Sequence, residues 1–416
     1  MKPRIAFIKT PDLRGFSESI IPAFEKSLSG RGFETKVFEP KPENIENIAQ
    51  EIVEFKPLFT FDINLDGLIF AEKDNQKQLL CDVLGNIHVS WFIDDPMVHW
   101  MKLKPALSSN QLLFLNIDPE HAQWLASFGK NIAFLSPGIH PQNFPPPLTT
   151  KEFDIAFTGP VVDPVIIEDG WKERFDENLY IYAVELGRLV YRNPDMPIRY
   201  AASYLASQFN PQYQEGLMQF QKENEDGFMA LLVEAGAYAM HLRRWQILES
   251  IDGFQINLIG KVEGELKENV VVYDDIISEK DVIQFLSKTK IALLSQPPFI
   301  PSGLGFTVFD SMGANALTMV EERFSAKTFF QPGKEVITYH PMDSIEIEGI
   351  LAYYLEDFPQ ERENIAVAGR ERVFRDHTLY NRGELLATLL ENIIKQATPE
   401  EEQGEKPEEE GLPTEN

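Results

Sequence analysis

Short runs of apolar and β-branched residues recur along the first third of the chain, and stretches with apolar residues at helical spacing separate them. The runs are apolar on both faces instead of alternating with polar residues, which is typical of parallel strands covered by helices on both sides of a sheet. The predicted strands are RIAFI (4–8), TKVF (35–38), FTFDI (59–63), HVSWFI (88–93), QLLFLNI (111–117) and NIAFLSP (131–137).

A second series of such runs follows the proline-rich segment GIHPQNFPPPLTT (138–150), which breaks the pattern and is typical of a linker between domains. The strands predicted in this second series are FDIAFTG (153–159), FQINLIG (254–260), NVVVY (269–273), KIALLS (290–295), NALTMV (315–320) and EVITY (335–339).

The two series predict an α/β protein with two Rossmann-like domains, 1–145 and 151–390, that face each other across a cleft. Apolar residues at helical spacing predict a helical insertion at 165–250, with a packing role. The acidic end of the chain, 397–416, cannot bury enough apolar area to fold, and we expect it to be disordered. Ligands in sheets of this type bind beyond the carboxyl ends of the strands, so we expect a site in the cleft.

Composition narrows the classes of partner. The formal net charge of the 416 residues is −27, and such a negative field disfavours binding to nucleic acid or anionic lipid. No apolar run is long enough to span a bilayer, and the amino-terminal MKPRIAFIKTPDL lacks the apolar core of a secretory signal, so we expect a cytoplasmic protein. A single cysteine, Cys81, excludes an intramolecular disulfide and a zinc site built from several thiolates.

The segment PSGLGFTVFDSMGANALTM (301–319) combines a glycine-containing turn with a helix that begins near Thr307, directly after a predicted strand. Glycine lets backbone N–H groups approach a ligand, and a helix N-terminus attracts an anion, so this turn is suited to a phosphate. The alternative is a tight turn with Asp310 facing water. Similar turns end two other strands of the second domain. The candidate diphosphate-binding residues are Gly159, Gly260, Lys261, Gly303, Gly305 and Thr307.

Two adjacent carboxylates end a strongly apolar strand of the first domain in SWFIDDPMVHW (90–100). Asp94 and Asp95 are suited to act as a general base or to orient a hydroxyl group. The alternative is that one of them caps the following helix, and Asp95 is the better placed for this.

Signatures of several other chemistries are missing. The segment DINLDGLIFAEK (62–73) resembles a calcium-binding loop, but its twelfth position is a lysine instead of an acid, so we predict no metal site. The chain contains no GxxxxGK[ST], HExxH or GxSxG motif, which removes the signatures of P-loop NTPases, zinc proteases and serine hydrolases.

Taken in order, the motifs WFIDDP, FDIAFTGP, HLRRWQILESI, PSGLGFTVFDSMGANALTM, FFQPGKEVITY and AGRERVFRDHTLYNR resemble a family of bacterial GT-B glycosyltransferases related to the spore maturation protein CgeB. The resemblance covers about residues 50–385 and is most specific from 301 onward. It implies two facing domains of the GT-B type, with a nucleotide-diphosphate sugar held mainly by the second domain. It also implies an acceptor approached from the first domain, and neither a metal nor a cofactor.

Three residues depart from the pattern of this superfamily. Many retaining GT-B enzymes have a pair of glutamates, one near the donor sugar and one near the ribose, where this chain has Ser302 and Asp310. The resemblance thus adds Ser302 and Asp310 to the candidate residues that bind the donor. It implies that Asp310 binds the ribose, whereas Ser302 supplies no carboxylate. Thr307 stands where relatives often have an arginine.

The resulting hypothesis is a metal-independent glycosyltransferase that moves a sugar from a nucleotide-diphosphate donor to an unidentified protein or glycan acceptor. Asp94 is the first choice for a general base. Two alternatives are a nucleotide-sugar-binding module without turnover and a GT-B-like sugar-nucleotide epimerase.

Overall fold

The computed structural model describes residues 2–12, 14–73 and 76–397. Its first sheet has six parallel strands in the order β2-β1-β3-β6-β7-β8, and a small antiparallel hairpin, β4-β5, stands apart from it. The strands of this part, β1 to β8, are Arg4–Ile8, Glu34–Phe38, Phe59–Ile63, Phe70–Lys73, Gln76–Leu79, Ile87–Phe92, Leu112–Asn116 and Asn131–Phe134.

The second sheet also has six parallel strands, in the order β13-β11-β9-β14-β15-β16, and a separate two-stranded parallel pair, β10-β12, follows its interior strands β9 and β11 in the chain. Its central strand β14 is buried along almost its whole length, as the apolar run predicts. The strands β9 to β16 are Phe153–Thr158, Val161–Val162, Ile256–Ile259, Val262–Glu263, Val270–Tyr273, Thr289–Leu294, Leu317–Glu321 and Ile337–Tyr339.

Helices cover both sheets, and several begin at an Asp-Pro pair in which aspartate caps the helix and proline fixes the first turn. Asp118 before Pro119 and Asp163 before Pro164 are two examples. The helices of the first part, α1 to α5, are Phe16–Gly30, Ile45–Phe55, Leu80–Leu84, Trp100–Ala106 and Pro119–Ala126, with 3₁₀ turns at Pro96–His99 and Pro141–Asn143.

Five helices, α6 to α10, stand between the first two strands of the second sheet, in the part of the chain where a helical insertion is predicted. They bury their own apolar core around Trp171, Tyr182 and Tyr238, and Met97 of the first part joins this core. The insertion thus contacts both sheet domains. The helices α6 to α10 are Pro164–Arg174, Glu177–Arg192, Ile198–Gln208, Pro211–Glu223 and Glu225–Ser250.

The remaining helices of the second part are α11 to α16. The last of them crosses back and packs against α1, with Leu379, Leu386 and Leu390 in the core of the first sheet. The domain limits 1–145 and 151–390 stay a proposal, and α16 of the second domain packs on the first domain. From residue 398 onward, the predicted acidic tail lies outside the described residues. The helices α11 to α16 are Glu279–Ser287, Phe306–Gly313, Phe324–Phe329, Ser344–Ala352, Pro359–Asp376 and Leu379–Ala397, with a π-helical turn at Tyr353–Asp357.

The two sheets meet through the start of helix α12. Phe306 and Ile300 of the second part lie in the core of the first sheet, where the Phe306 ring contacts those of Phe16 and Trp91 at centroid distances of 4.9 and 5.8 Å. A cleft therefore runs along the carboxyl ends of strands from both sheets. Within the described part of the chain, no helix is both long enough and apolar enough to cross a bilayer.

Candidate functional site

Three adjoining cavities occupy the cleft. The second-sheet cavity, about 280 Å³, contains Gly159, Gly260, Lys261, Thr307 and Asp310 in its wall. The central cavity, about 360 Å³, lies between the sheets. The first-sheet cavity, about 300 Å³, lies at the ends of strands β1, β3 and β6. The second-sheet and central cavities share Arg14, Phe16, Thr158, Gly159, Pro160 and Thr307, and the central and first-sheet cavities share Arg14, Phe16, Ile93 and Asp94.

The turn at Ser302 and Gly303 does not offer its N–H groups to the cleft. Asp118 of the first sheet accepts hydrogen bonds from Ser302 N (2.9 Å), Ser302 Oγ (2.8 Å) and Gly303 N (2.6 Å). A Cβ atom on Gly303 would lie 2.7 Å from the carbonyl oxygen of Ile117, so glycine is needed for this contact between the domains. These amides are therefore engaged by protein, which corrects the interpretation that they bind a diphosphate.

The N–H of Gly305 is also engaged, since it donates to Gln296 Oε1 at 3.0 Å. Gly305 is the N-cap of helix α12, and the first N–H groups of a helix have no acceptor within the helix. Those of Phe306 and Thr307 stand at this end, and Thr307 lines both the second-sheet and the central cavity. The anion-attracting end of the predicted motif is therefore the helix start at Thr307, and the glycine turn before it has a structural role.

Gly159 and Gly260 have positive φ angles of 115° and 148°, which favour glycine. A Cβ atom on Gly260 would lie 2.6 Å from the carbonyl oxygen of Gly159, and one on Gly159 would lie 2.5 Å from Arg244 Nη1. Both glycines therefore line the cavity as predicted. The side chain that leaves no room for a Cβ atom at Gly159 is that of Arg244. Lys261 is exposed at the same wall.

Arg244, on helix α10, is a cation that the sequence analysis did not single out. It is 6% exposed and lines the central cavity. Its Nη1 donates to Pro160 O at 2.9 Å and its Nη2 to Ser295 O at 3.4 Å. No carboxylate of the described residues lies within 4.0 Å of the guanidinium. Burial and the positive charge of Arg14 lower its pKa to about 10.

Arg14 approaches the same place from the first domain. It is exposed, lines all three cavities, and lies just before helix α1. Its guanidinium carbon lies 6.0 Å from the centre of the Phe16 ring, and its side chain forms no hydrogen bond or ion pair with another described residue. The motif HLRRW contains Arg244, but only the packing brings it near Arg14.

Asp310 lies at the floor of the second-sheet cavity. It is 4% exposed, and its Oδ1 has no hydrogen-bond partner among the described residues. Burial and the nearby charge of Glu279 raise its pKa well above the usual aspartate range, although Arg14 acts in the opposite direction. The alternative in which Asp310 faces water is therefore wrong.

Glu279, at the start of helix α11, is a second buried acid of this cavity and was not predicted. Its Oε2 accepts a hydrogen bond from Ser19 Oγ at 2.5 Å. Burial raises its pKa to about 7. No local pattern distinguishes it from the other acids that begin helices, so the sequence carries little signal for its role.

Asp94 and Asp95 have different surroundings. The Asp94 side chain is 57% exposed and lines the central and first-sheet cavities. Asn64 Nδ2 donates to it at 3.3 Å, and His99 Nε2 lies 3.7 Å from its Oδ2. Asp95 points away from the cleft: it accepts a bond from Met97 N, as the capping alternative predicts.

The Asp95 carboxylate also receives bonds of 2.8 and 2.9 Å from Arg199 Nη1, and His121 Nε2 lies 3.6 Å away. Burial alone would raise the pKa of Asp95, but the charges of Arg199 and His121 and the bond from Met97 N hold it below the usual range. Both carboxylate oxygens of Asp95 therefore have protein partners. Of the two aspartates, the geometry favours only Asp94 as a residue that faces a ligand.

Comparison with known proteins adds to this picture. Residues 243–390, which include Arg244, Gly260 and Asp310, match a family model described as glycosyl transferase-like. A relative of similar length is an uncharacterized protein of Aquifex aeolicus, 29% identical over 394 residues, with 94% of this chain and 97% of that protein covered.

Solved structures share the fold. Sucrose-phosphate synthase from Thermosynechococcus elongatus aligns with a TM-score of 0.54 at 10% identity, covering 95% of this chain and all of that one. HepE of Anabaena, in complex with UDP and glucose, aligns with a TM-score of 0.52 at 11% identity, covering 94% and 100%. The predicted fold class, two facing parallel-sheet domains of the GT-B type, is confirmed. The family model matches residues 243–390, and the solved structures show the fold of the chain as a whole.

Proposed function

We propose that this protein is a metal-independent glycosyltransferase of the family related to CgeB, which moves a sugar from a nucleotide-diphosphate donor to a hydroxyl group of a protein or glycan acceptor. The observation that carries the proposal is the buried carboxyl group of Asp310, whose Oδ1 has no hydrogen-bond partner among the described residues. A buried carboxyl group with a free oxygen is costly unless a ligand satisfies it, and this one lies in a cavity at the carboxyl ends of the second sheet.

The second-sheet cavity is suited to a nucleoside. Asp310 and Glu279 form a pair of acids for the hydroxyl groups of a ribose, since Glu279 faces the same space. Ile276, Ile277 and Val282 supply an apolar wall for a base. The start of helix α12 at Thr307 marks the exit of this cavity toward the central one, where the diphosphate of a bound donor would lie.

The transfer step is assigned to Asp94. In an inverting displacement, Asp94 removes the proton of the acceptor hydroxyl, whose oxygen forms a bond to the anomeric carbon of the sugar as the bond to the diphosphate oxygen breaks. The electron pair leaves with the nucleoside diphosphate. His99 Nε2 lies 3.7 Å from Asp94 Oδ2, beyond hydrogen-bond distance. Ser302 supplies no carboxylate for a retaining mechanism, and its hydroxyl donates to Asp118.

A panel of nucleoside-diphosphate sugars, screened by thermal shift and then by sugar transfer, tests the proposal. We expect one donor to stabilise the protein, and Asp310→Asn to weaken its binding by roughly 0.5–1.5 kcal/mol, the net contribution of a hydrogen bond to an uncharged group. Asp252→Asn, at an exposed side chain paired with Lys267, is the matched control.

Two outcomes would contradict this account. If no nucleotide of the panel stabilises the wild-type protein, the donor site is wrongly assigned. If a nucleotide sugar binds but is neither transferred nor hydrolysed with any acceptor, the protein is a binding module.

A further inference from the structure

Arg14 and Arg244 come from different domains and both line the central cavity, and neither guanidinium has a carboxylate of the described residues within 4.0 Å. The other buried arginines of this region are paired: Arg243 and Arg323 both contact Glu321, at 3.2 and 2.7 Å. Arg244, next to Arg243 in sequence, contacts only carbonyl oxygens. Glu321 acts on Arg244 only from beyond ion-pair distance, and a buried charge without a direct counter-ion is unfavourable, so the retention of Arg244 points to an anion that arrives from the cleft.

The position of Arg244 explains an otherwise separate feature of the second sheet. Gly159 ends strand β9 with a positive φ, and its missing side chain is the space that the Arg244 guanidinium occupies. The backbone of this turn is therefore shaped to admit a cation. Thr307, where relatives often have an arginine, lines the same central cavity.

We propose that Arg244 and Arg14 together form an anion clamp that binds the diphosphate of the donor. The clamp spans the junction of the second-sheet and central cavities, since Arg14 lines both and Arg244 lines the central one. The identity of the anion as a donor diphosphate rests on the proposed function. The clamp adds that the first domain contributes to donor binding through Arg14.

Two consequences follow from a clamp of two guanidinium groups. Each planar guanidinium presents several N–H donors, so the pair favours a pyrophosphate group over a single phosphate. The clamp also joins the two domains through the ligand, because one arginine comes from before helix α1 and the other from helix α10.

Isothermal titration with inorganic pyrophosphate and with orthophosphate, in a chelator, tests the clamp without knowledge of the base or sugar. We expect the wild-type protein to bind pyrophosphate more tightly than orthophosphate. Arg244→Gln and Arg14→Gln should each weaken pyrophosphate binding by about tenfold or more, since a hydrogen bond to a charged group is worth that much. Arg244→Lys, which keeps the charge, should retain part of the affinity.

Arg375→Gln is the charge-matched control, because Arg375 is exposed and pairs with Asp376 outside the three cavities. Arg14→Gln changes an exposed side chain and keeps the clamp testable if the buried Arg244 variant does not fold. Unchanged pyrophosphate affinity in a folded Arg244→Gln or Arg14→Gln variant, or the same loss in Arg375→Gln, would overturn the clamp.

The same variants separate this inference from the proposed function. Loss of pyrophosphate binding in the two clamp variants supports the clamp even when no nucleotide sugar is transferred. A different result would separate them in the other direction. If the wild type transfers sugar and Arg244→Gln binds the donor as tightly as the wild type does, the clamp is overturned and the proposed glycosyltransferase activity is retained.

Discussion

At the scale of single residues, two neighbouring aspartates illustrate how surroundings decide a role. Asp94 extends into the cleft with one amide and one imidazole nearby, whereas Asp95 is enclosed by Arg199, His121 and the N–H of Met97. The chemistry of both side chains is the same. Only the first keeps a carboxylate that is free to accept a proton from a substrate.

Substitution of Asp94 by asparagine should abolish most of the sugar transfer and spare nucleotide binding. The amide keeps the shape of the carboxylate and loses its basicity, and a positioned general base contributes typically 10²–10⁴-fold. Steady-state kinetics should show the loss in kcat, with the affinity for a nucleoside diphosphate unchanged by titration calorimetry. Wild-type turnover in Asp94→Asn would remove it as the base.

Asp95→Asn is the matched comparison and should behave in the opposite way. It breaks a buried ion pair with Arg199, and the cost of leaving one partner of such a pair uncompensated is about 3–5 kcal/mol. We expect a lower free energy of unfolding by urea denaturation, with normal turnover per folded molecule. A stable but inactive Asp95→Asn variant would assign Asp95 to the chemistry instead.

At the scale of elements, the contact between the first turn of helix α5 and the turn before helix α12 fixes the two sheets. Asp118 is fully buried and accepts one hydrogen bond from Glu120 N of its own helix, besides those from Ser302 and Gly303. One carboxylate thus caps a helix of the first domain and holds a turn of the second. This contact positions the helix start at Thr307 against the cleft.

Asp118→Ala should destabilise the contact between the domains. It removes the acceptor of three backbone N–H groups, and each buried donor left unsatisfied costs about 1–3 kcal/mol, so the free energy of unfolding should fall by at least roughly 3 kcal/mol. Ser302→Ala, which deletes one hydroxyl donor, should cost about 1 kcal/mol. Urea denaturation measures both. Equal, small effects of the two substitutions would show that Asp118 does not hold the domains together.

At the scale of the whole molecule, the proposed anion site lies in a chain of net charge −27. Arg14, Arg244 and Lys261 line the two cavities together with the acids Asp94, Asp274, Glu279 and Asp310, so the proposed site depends on the local contacts of its cations and not on the overall charge. Within the described ranges, no group of three or more histidine, cysteine, aspartate or glutamate side chains is close enough to hold a metal ion. The proposed transfer assigns the stabilisation of the leaving diphosphate to protein cations.

Sugar transfer should accordingly proceed at the same rate in EDTA as in buffer with magnesium. The leaving diphosphate is neutralised by protein groups in this mechanism, so a chelator removes nothing that the reaction uses. The measurement is the initial rate with and without EDTA, with EDTA pre-loaded with magnesium as the control. Activity that disappears in EDTA and returns with magnesium or manganese would refute metal independence.

The sequence by itself determined the strands of the two sheets. All twelve predicted runs contain strands of the two main sheets, because burial on both faces leaves a continuous apolar run that local pattern reading detects. It also singled out helix α12, with Asp310 on it, and the capping role of Asp95, since both follow from residues close together in the chain.

The tertiary structure alone decided which donors and acceptors meet. Asp118 lies 184 residues from Ser302, and Arg244 lies 84 residues from Pro160, so no spacing rule connects them. Asp118 accepts hydrogen bonds from the backbone amides that the glycine turn was expected to offer to a ligand. The contact of Arg244 with Pro160 brings a buried cation to Gly159. Hydrogen bonds and charges act over a few ångströms in space, and the packing of the sheets and helices sets those distances.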